Sequence, residues 1–387
     1  MELGQARLGT HFQVVRSTLR TMGLLLAAAI LFAAAKPMEG GQVPGPLRVP
    51  PQDPRFLWMG RVAAKGEYEL RLGYPGVTLR FAYRGPAPTL LLGASTATCY
   101  FNLTCNGWDP VLIHSRKGRS EVLLPSGSAP ASGWVVELTR RTENWQGVAS
   151  FHGLELPPGC ELLAPPPLPE RRLLVIGDSI SCGDKIDRLP PDFDESPRNS
   201  NAPRSYGMLL GHWLGAQVHL VAVGGRGLTR DWRGRSDVAN APQFFPRALP
   251  EEPDSRWDHA SYQPDAVLIG LGTNDFNGTL PEASGFMLAY DRFLIEVRKA
   301  HPKAALILLE SPVFGEEPGT LDRQKRDLLR LCLDGVVALR KTAGDARVIV
   351  APLHKQPGTA SDAHPVAFQH EQIARELLPV VKVMTGW

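Results

Sequence analysis

Neither sign of charge prevails in this chain: 42 Lys and Arg face 39 Asp and Glu across 387 residues, a formal +3. So small an excess gives no footing on a polyanion, and no nucleic-acid partner is expected. Cysteine is scarce, with five in all: Cys99, Cys105, Cys160, Cys182 and Cys332. No CxxC pair stands beside histidines at matching spacing. His354 and His370 flank His364 without an HxH or HxxxH spacing, so no metal site is expected. Gly224-Gly225-Arg226-Gly227 lacks the full GxGxxG spacing of a dinucleotide loop, and the expected cofactor is none. Past the N-terminus no apolar run is long enough to span a bilayer, and no internal repeat is visible.

Proline and glycine are plentiful by contrast, at 35 and 38 residues, which suits a loop-rich chain with many short strands. Arg16 and Arg20 precede the apolar run Met22–Phe32, and Ala33-Ala34-Ala35 follows before Lys36. A basic flank, a short apolar stretch and an A-x-A site describe a secretory signal peptide over residues 1–35. An uncleaved anchor is the alternative reading of the same run. The expected location is therefore secreted or periplasmic, with no stable membrane insertion once the signal is removed. Export permits disulfides, and Cys99 and Cys105 are six apart, a spacing that suggests a strand-to-strand pair.

Residues 36–55 are rich in Pro and Gly and read as a linker. Alternating stretches such as Tyr68–Leu72, Val77–Tyr83 and Trp134–Thr139, parted by turn residues, predict a β-sandwich or jelly roll over 56–165. The texture then changes at Pro165-Pro166-Pro167-Leu168-Pro169. From about residue 170 to 387, solid apolar strands (Leu173–Ile176, Val218–Ala222, Ala266–Leu271, Ala305–Leu309, Arg347–Val350) alternate with helical patterns. The predicted helices are Tyr206–Leu214, Phe286–Ala300, Leu321–Lys341 and Ala367–Val383. That order predicts a parallel sheet in an α/β domain.

Gly177-Asp178-Ser179 closes the first of those strands, at the sheet edge where open α/β folds bind ligands. A serine hydroxyl needs a base within hydrogen-bond reach to act as a nucleophile. Alone the tripeptide is also ordinary turn chemistry. Three further stations lie just past strand ends: Gly224-Gly225-Arg226-Gly227, Gly272-Thr273-Asn274-Asp275 and Asp362-Ala363-His364-Pro365. All converge on one edge of the sheet. Asp178 and Asp275 read as loop ties rather than chemistry, and Arg226 as either a substrate contact or a surface charge. Asn102 and Asn277 head N-x-T sequons, glycosylation sites only in a eukaryotic host, and a glycan at Asn277 would crowd Asn274.

Ser, Gly, Asn and His in that order resemble the four blocks of the SGNH/GDSL hydrolase superfamily. The resemblance narrows to carbohydrate esterase family two. It rests on Leu138–Glu143 and Phe151-His152-Gly153 in the β region, then on Gly177–Gly183, Gly225–Leu228, Trp257-Asp258, Tyr262–Asp265, Gly272–Phe276 and Asp362–Pro365. It implies an N-terminal jelly roll followed by a three-layer, flavodoxin-like SGNH domain. It also implies Ser179 as nucleophile, His364 as base, and an oxyanion hole from the N–H groups of Ser179 and Gly225 with the amide of Asn274.

Most of the superfamily carries Asp three residues before the His; here that residue is Ser361, and Asp362 is only two before. Either Asp362 or a backbone carbonyl is left to orient the imidazole. An aromatic often precedes the His in the family, where this chain has Ala363, and Trp232 is the candidate substitute for that sugar-stacking surface, with Arg226 beside it. The implied activity is removal of O-acetyl groups from xylan- or mannan-type polysaccharides or oligosaccharides. A general exported esterase or lipase on lipid or aryl esters is the alternative, and a non-catalytic glycan-binding protein is the third reading.

Overall fold

A computed structural model describes residues 45–126, 133–188, 196–356, 358–359 and 363–387. The signal segment and Asp362 fall outside these residues.

The β region builds two antiparallel sheets of six strands each. Trp134–Arg140 shows why: Trp134, Val136, Leu138 and Arg140 alternate inward while their neighbours are half-exposed. In register, Trp134, Val136 and Leu138 face Tyr83, Phe81 and Leu79 of the neighbouring strand Thr78–Arg84. Period-two alternation therefore lays one apolar ladder against the opposite sheet. Phe56 stands edge-on to both Phe81 and Phe151, with ring centres 5.7 and 5.0 Å apart.

Two expectations change here. Leu47–Val49, inside the stretch read as a linker, is a strand paired with Ala149–Leu156. Its Pro and Gly neighbours hide a pattern of only three residues. The second change concerns the cysteines, all five of which are free thiols. Cys99 and Cys105 are the two ends of one strand, Cys99–Cys105. Six residues of extended chain separate them by roughly 20 Å, whereas a disulfide tolerates Cα atoms no more than about 7 Å apart.

The second half is a five-stranded parallel sheet ordered Ala216–Ala222, Arg171–Gly177, Ala266–Gly270, Ala305–Leu309 and Val348–Ala351. The first strand in sequence thus lies between the second and third, the flavodoxin-like order. Helices cover both faces. Leu174 and Ile176 pack towards Ala283–Ala300 and Leu321–Thr342, and Leu173 and Val175 towards Tyr206–Leu214 and Ala367–Thr385. Burial on both faces is why these strands read as solid apolar runs.

The two halves share one apolar cluster, which contains Phe81 and Phe151 as well as Phe244, Leu306 and Leu333. Polar bonds tie its rim. Tyr74 donates to the Phe244 carbonyl at 2.8 Å, and the Arg141 guanidinium reaches Asp187 at 2.6 Å and the Arg198 carbonyl at 2.8 Å. The sandwich is thereby fixed against the edge of the hydrolase half.

Candidate active site

Ser179 opens the short helix Ser179–Cys182 directly after the first parallel strand. Asp178 caps it, accepting from the Ile180 N–H at 3.0 Å. Gly183 ends it in the left-handed conformation, so the chain turns away and leaves Ser179 at the sheet edge. His364 approaches just before the last helix, with Nε2 2.8 Å from Ser179 Oγ. That is the distance at which an imidazole takes a hydroxyl proton.

The loop after the second strand brings Gly225, whose φ of 73° favours glycine. A Cβ there would stand 2.7 Å from Trp232 Cδ1. Asp275 holds this loop from below: its fully buried carboxylate accepts from the N–H groups of Leu228, Thr229 and Arg230 at 2.8, 2.7 and 3.2 Å. Asn274 is buried beside Ser179, and its Nδ2 donates to Asp178 Oδ2 at 3.1 Å and to the Arg226 carbonyl at 3.0 Å. Both amide hydrogens therefore have partners at rest, and donation to an oxyanion would share one of them. Among the described residues, no group accepts from the Ser179 or Gly225 N–H. Burial raises the Asp178 carboxyl to about 6, partly offset by the Ile180 N–H and by His364.

Ser179, Gly225, Asn274, Trp232, Arg226 and His364 all line one cleft of about 770 Å³. Trp232 leaves 49% of its surface exposed there, and its backbone N–H donates to the Gly225 carbonyl at 2.9 Å. The Arg226 guanidinium lies 3.6 Å from Glu251 and 4.0 Å from Asp231, so its charge is met within the protein. Asn277 donates to the Trp232 carbonyl at 2.9 Å and so braces the loop carrying that indole. Asn102, the other sequon residue, is buried and accepts from Arg141 at 2.8 Å. His354 pairs with Glu376 at the surface, and His370 Nδ1 accepts from the Tyr206 N–H; neither lines the cleft.

Of the cleft residues that escaped the sequence reading, two come from the sandwich. Glu143 and Trp145 lie on the turn after Trp134–Arg140. Glu143 is fully buried, and neither of its carboxyl oxygens has a hydrogen-bond partner of good geometry among the described residues. Burial first, and then Asp184, push its pKa up to about 8. A Cβ on Gly224 would collide with Glu143 Oε2, so glycine is needed where this loop crosses the carboxyl. The only signal in the sequence was Glu143 itself, which closes one stretch of the resemblance.

A Ser–His pair on a strand-end turn of a flavodoxin-like sheet, in one cleft with Gly225 and Asn274, defines a hydrolase of the GDSL class. Family models agree. Residues 58–166 match the carbohydrate esterase 2 N-terminal model, and residues 175–378 match the GDSL-like lipase/acylhydrolase family. The chain belongs to carbohydrate esterase family two, and it is a carboxylic ester hydrolase. It is 35% identical over 337 residues to an acetylxylan esterase / glucomannan deacetylase of Cellvibrio japonicus, covering 87% of this chain and 90% of that protein. A family two carbohydrate esterase from Cellvibrio japonicus superposes with a TM-score of 0.81 at 34% identity, over 88% of this chain and 98% of the other. A family two esterase from Clostridium thermocellum, solved with cellohexaose, superposes with a TM-score of 0.78 at 27% identity, over 86% and 99%.

Proposed function

We propose that this chain removes O-acetyl groups from xylan- or mannan-type polysaccharides through an acetyl-enzyme on Ser179. The 2.8 Å bond from Ser179 Oγ to His364 Nε2 carries the reading. His364 takes the hydroxyl proton as Ser179 attacks the acetyl carbonyl. The oxyanion forms against the N–H groups of Ser179 and Gly225 and the Asn274 amide. The C–O bond to the sugar then breaks, and the imidazolium gives its proton to the departing sugar oxygen. Water, deprotonated by the same imidazole, releases acetate and restores Ser179. A backbone carbonyl, rather than Asp362, is the proposed partner that orients the His364 ring.

The polymer preference rests on the named activity of the Cellvibrio relative and on a cleft that mixes indole surface with charged side chains. Trp232 and Arg226 are the proposed substrate contacts from the hydrolase half. Export is proposed from the N-terminal segment alone, with the mature chain starting near Lys36, which N-terminal mass spectrometry of exported protein would check. No helix among the described residues is long and apolar enough to cross a membrane.

The decisive assay compares acetate release from acetylated xylan and glucomannan with cleavage of a long-chain aryl ester. The acetylated polymers are expected to be far better substrates, and Ser179→Ala should lose about a millionfold in turnover. Preference for the long-chain ester would overturn the polysaccharide reading. Turnover by Ser179→Ala within about tenfold of the parent, only ~1.4 kcal/mol, would remove the nucleophile assignment.

A further inference from the structure

We infer that Trp145 makes the sandwich domain part of the substrate site: its indole is a sugar-stacking wall of the catalytic cleft, additional to Trp232. This rests on the polysaccharide reading above and extends it to the other half of the molecule.

Trp145 sits in the three-residue turn Asn144–Gln146. Its two neighbours are buried, yet Trp145 leaves 59% of its surface exposed. Nothing about the turn is loose. The buried Arg140 guanidinium donates to the carbonyls of Thr142 at 2.9 Å and Glu143 at 2.7 Å, and also to that of Gly147. Gln146 Oε1 accepts from the Glu143 N–H at 2.8 Å, and the Thr98 hydroxyl donates to the Gln146 carbonyl at 2.5 Å. Asn144 crosses to the hydrolase half, donating to Glu251 at 2.9 Å. Glu251 also pairs with Arg226 of the oxyanion loop, so the turn and that loop are tied through one carboxylate.

A large apolar side chain gains about 1.5–3 kcal/mol by burial, and a turn fixed this firmly could have directed a polar residue outward instead. The exposed indole is therefore not explained by packing. It does face a site: Trp145 lines the same cleft as Ser179, Trp232 and His364. Of the other exposed tryptophans, Trp108 packs edge-on to Trp134 and Trp213 lies under Arg375; neither lines this cleft.

The chemistry fits a pyranose. The ring's C–H face is apolar and slightly positive, and it complements the negative face of an indole. The hydroxyls project edgewise, where Asp184, Asp322, Lys325 and Arg235 also line the cleft. An indole held in place before binding loses little conformational freedom when the sugar arrives. With tryptophans contributed by both domains, the site suits a chain of several sugar units rather than a single one.

The test uses the intact chain. Binding of xylohexaose and mannohexaose is measured by calorimetry, and KM and kcat on acetylated xylan and acetylated glucomannan by acetate release. Trp145→Ala should weaken oligosaccharide binding and raise KM by about tenfold or more, with kcat reduced less than about threefold. Trp145→Phe, which keeps an aromatic face, should restore binding to within about threefold of the parent. Unchanged binding and KM in a folded Trp145→Ala protein overturn the inference, as does a loss confined to kcat. A parent chain that deacetylates polymer but binds neither oligosaccharide overturns the stacking role while leaving the esterase reading intact. Binding that depends on Trp145 in a chain releasing no acetate does the reverse.

Discussion

Two buried side chains set the character of the site at the scale of single residues. Asn274 supports the Asp178 carboxylate and the Arg226 carbonyl at rest, and is proposed to meet the oxyanion during turnover. Its contribution should therefore be stronger in the transition state than in the ground state. Asn274→Ala is expected to lower kcat by about a hundredfold or more with little change in KM. A pure KM effect in steady-state kinetics would place the residue in substrate binding instead. Glu143 poses a different problem. Its folded pKa of about 8 stands above the 4.5 of an exposed glutamate because burial, followed by Asp184, disfavours its charge. Cys182, His364 and Trp145 also act on it and oppose the shift. A carboxyl whose pKa is raised by folding holds more protons in the native than in the unfolded state between those values. Native stability is then greatest below about pH 4.5 as far as this group decides it, and is lost as pH rises through about 8. Glu143→Gln mimics the protonated form and lacks that loss. Its advantage in denaturation midpoint over the parent should widen from pH 5 to pH 8, and a constant gap would show that Glu143 does not titrate in this range.

At the scale of elements, the proposed oxyanion hole draws on a loop with no regular structure of its own. Residues 224–232 carry Gly225 and Trp232, and their shape is dictated from outside. Asp275 accepts three consecutive N–H groups and the Thr229 hydroxyl, while Arg230 Nε donates back to the Asp275 carbonyl at 2.7 Å. Removing a buried acceptor leaves each donor unsatisfied at about 1–3 kcal/mol. Asp275→Ala is expected to destabilise the fold by several kcal/mol at most and to lower kcat together with it. Thermal denaturation and steady-state kinetics on the same preparation check both. Full stability and full activity would mean that the loop holds its shape without the clamp.

At the scale of the whole molecule, the sandwich and the hydrolase sheet are not two beads on a string. One apolar cluster runs from Phe81 to Leu333, and Arg61, fully buried in the sandwich, donates to the Arg247 carbonyl at 2.7 Å. Separating the halves would expose this apolar surface and strand the guanidinium. The intact chain should therefore unfold in a single cooperative transition, with calorimetric and van't Hoff enthalpies in agreement. Two resolved transitions would show that the halves fold independently. The same coupling explains why a turn of the sandwich can hold Trp145 in a cleft whose Ser179 and His364 belong to the other half.

The sequence by itself determined most of the elements and the meeting of four strand-end stations at one edge of the sheet. Solid apolar strands alternating with amphipathic helices can bury their faces in few ways other than a parallel sheet, and strand-end turns of such a sheet gather at one edge. Ser179, Gly225, Asn274 and His364 were legible for that reason, and Tyr206–Leu214 begins and ends where its pattern predicts. Leu47–Val49 was not, because three residues carry no periodicity and their strand character comes from pairing with a strand some hundred residues later. Cys99 and Cys105 misled because spacing along the chain does not say whether a turn lies between them. Only the tertiary structure decided that Glu143 and Trp145 belong to the cleft. Their approach to Ser179 depends on how one domain packs on another, a contact made across sequence distance and therefore written in no local pattern.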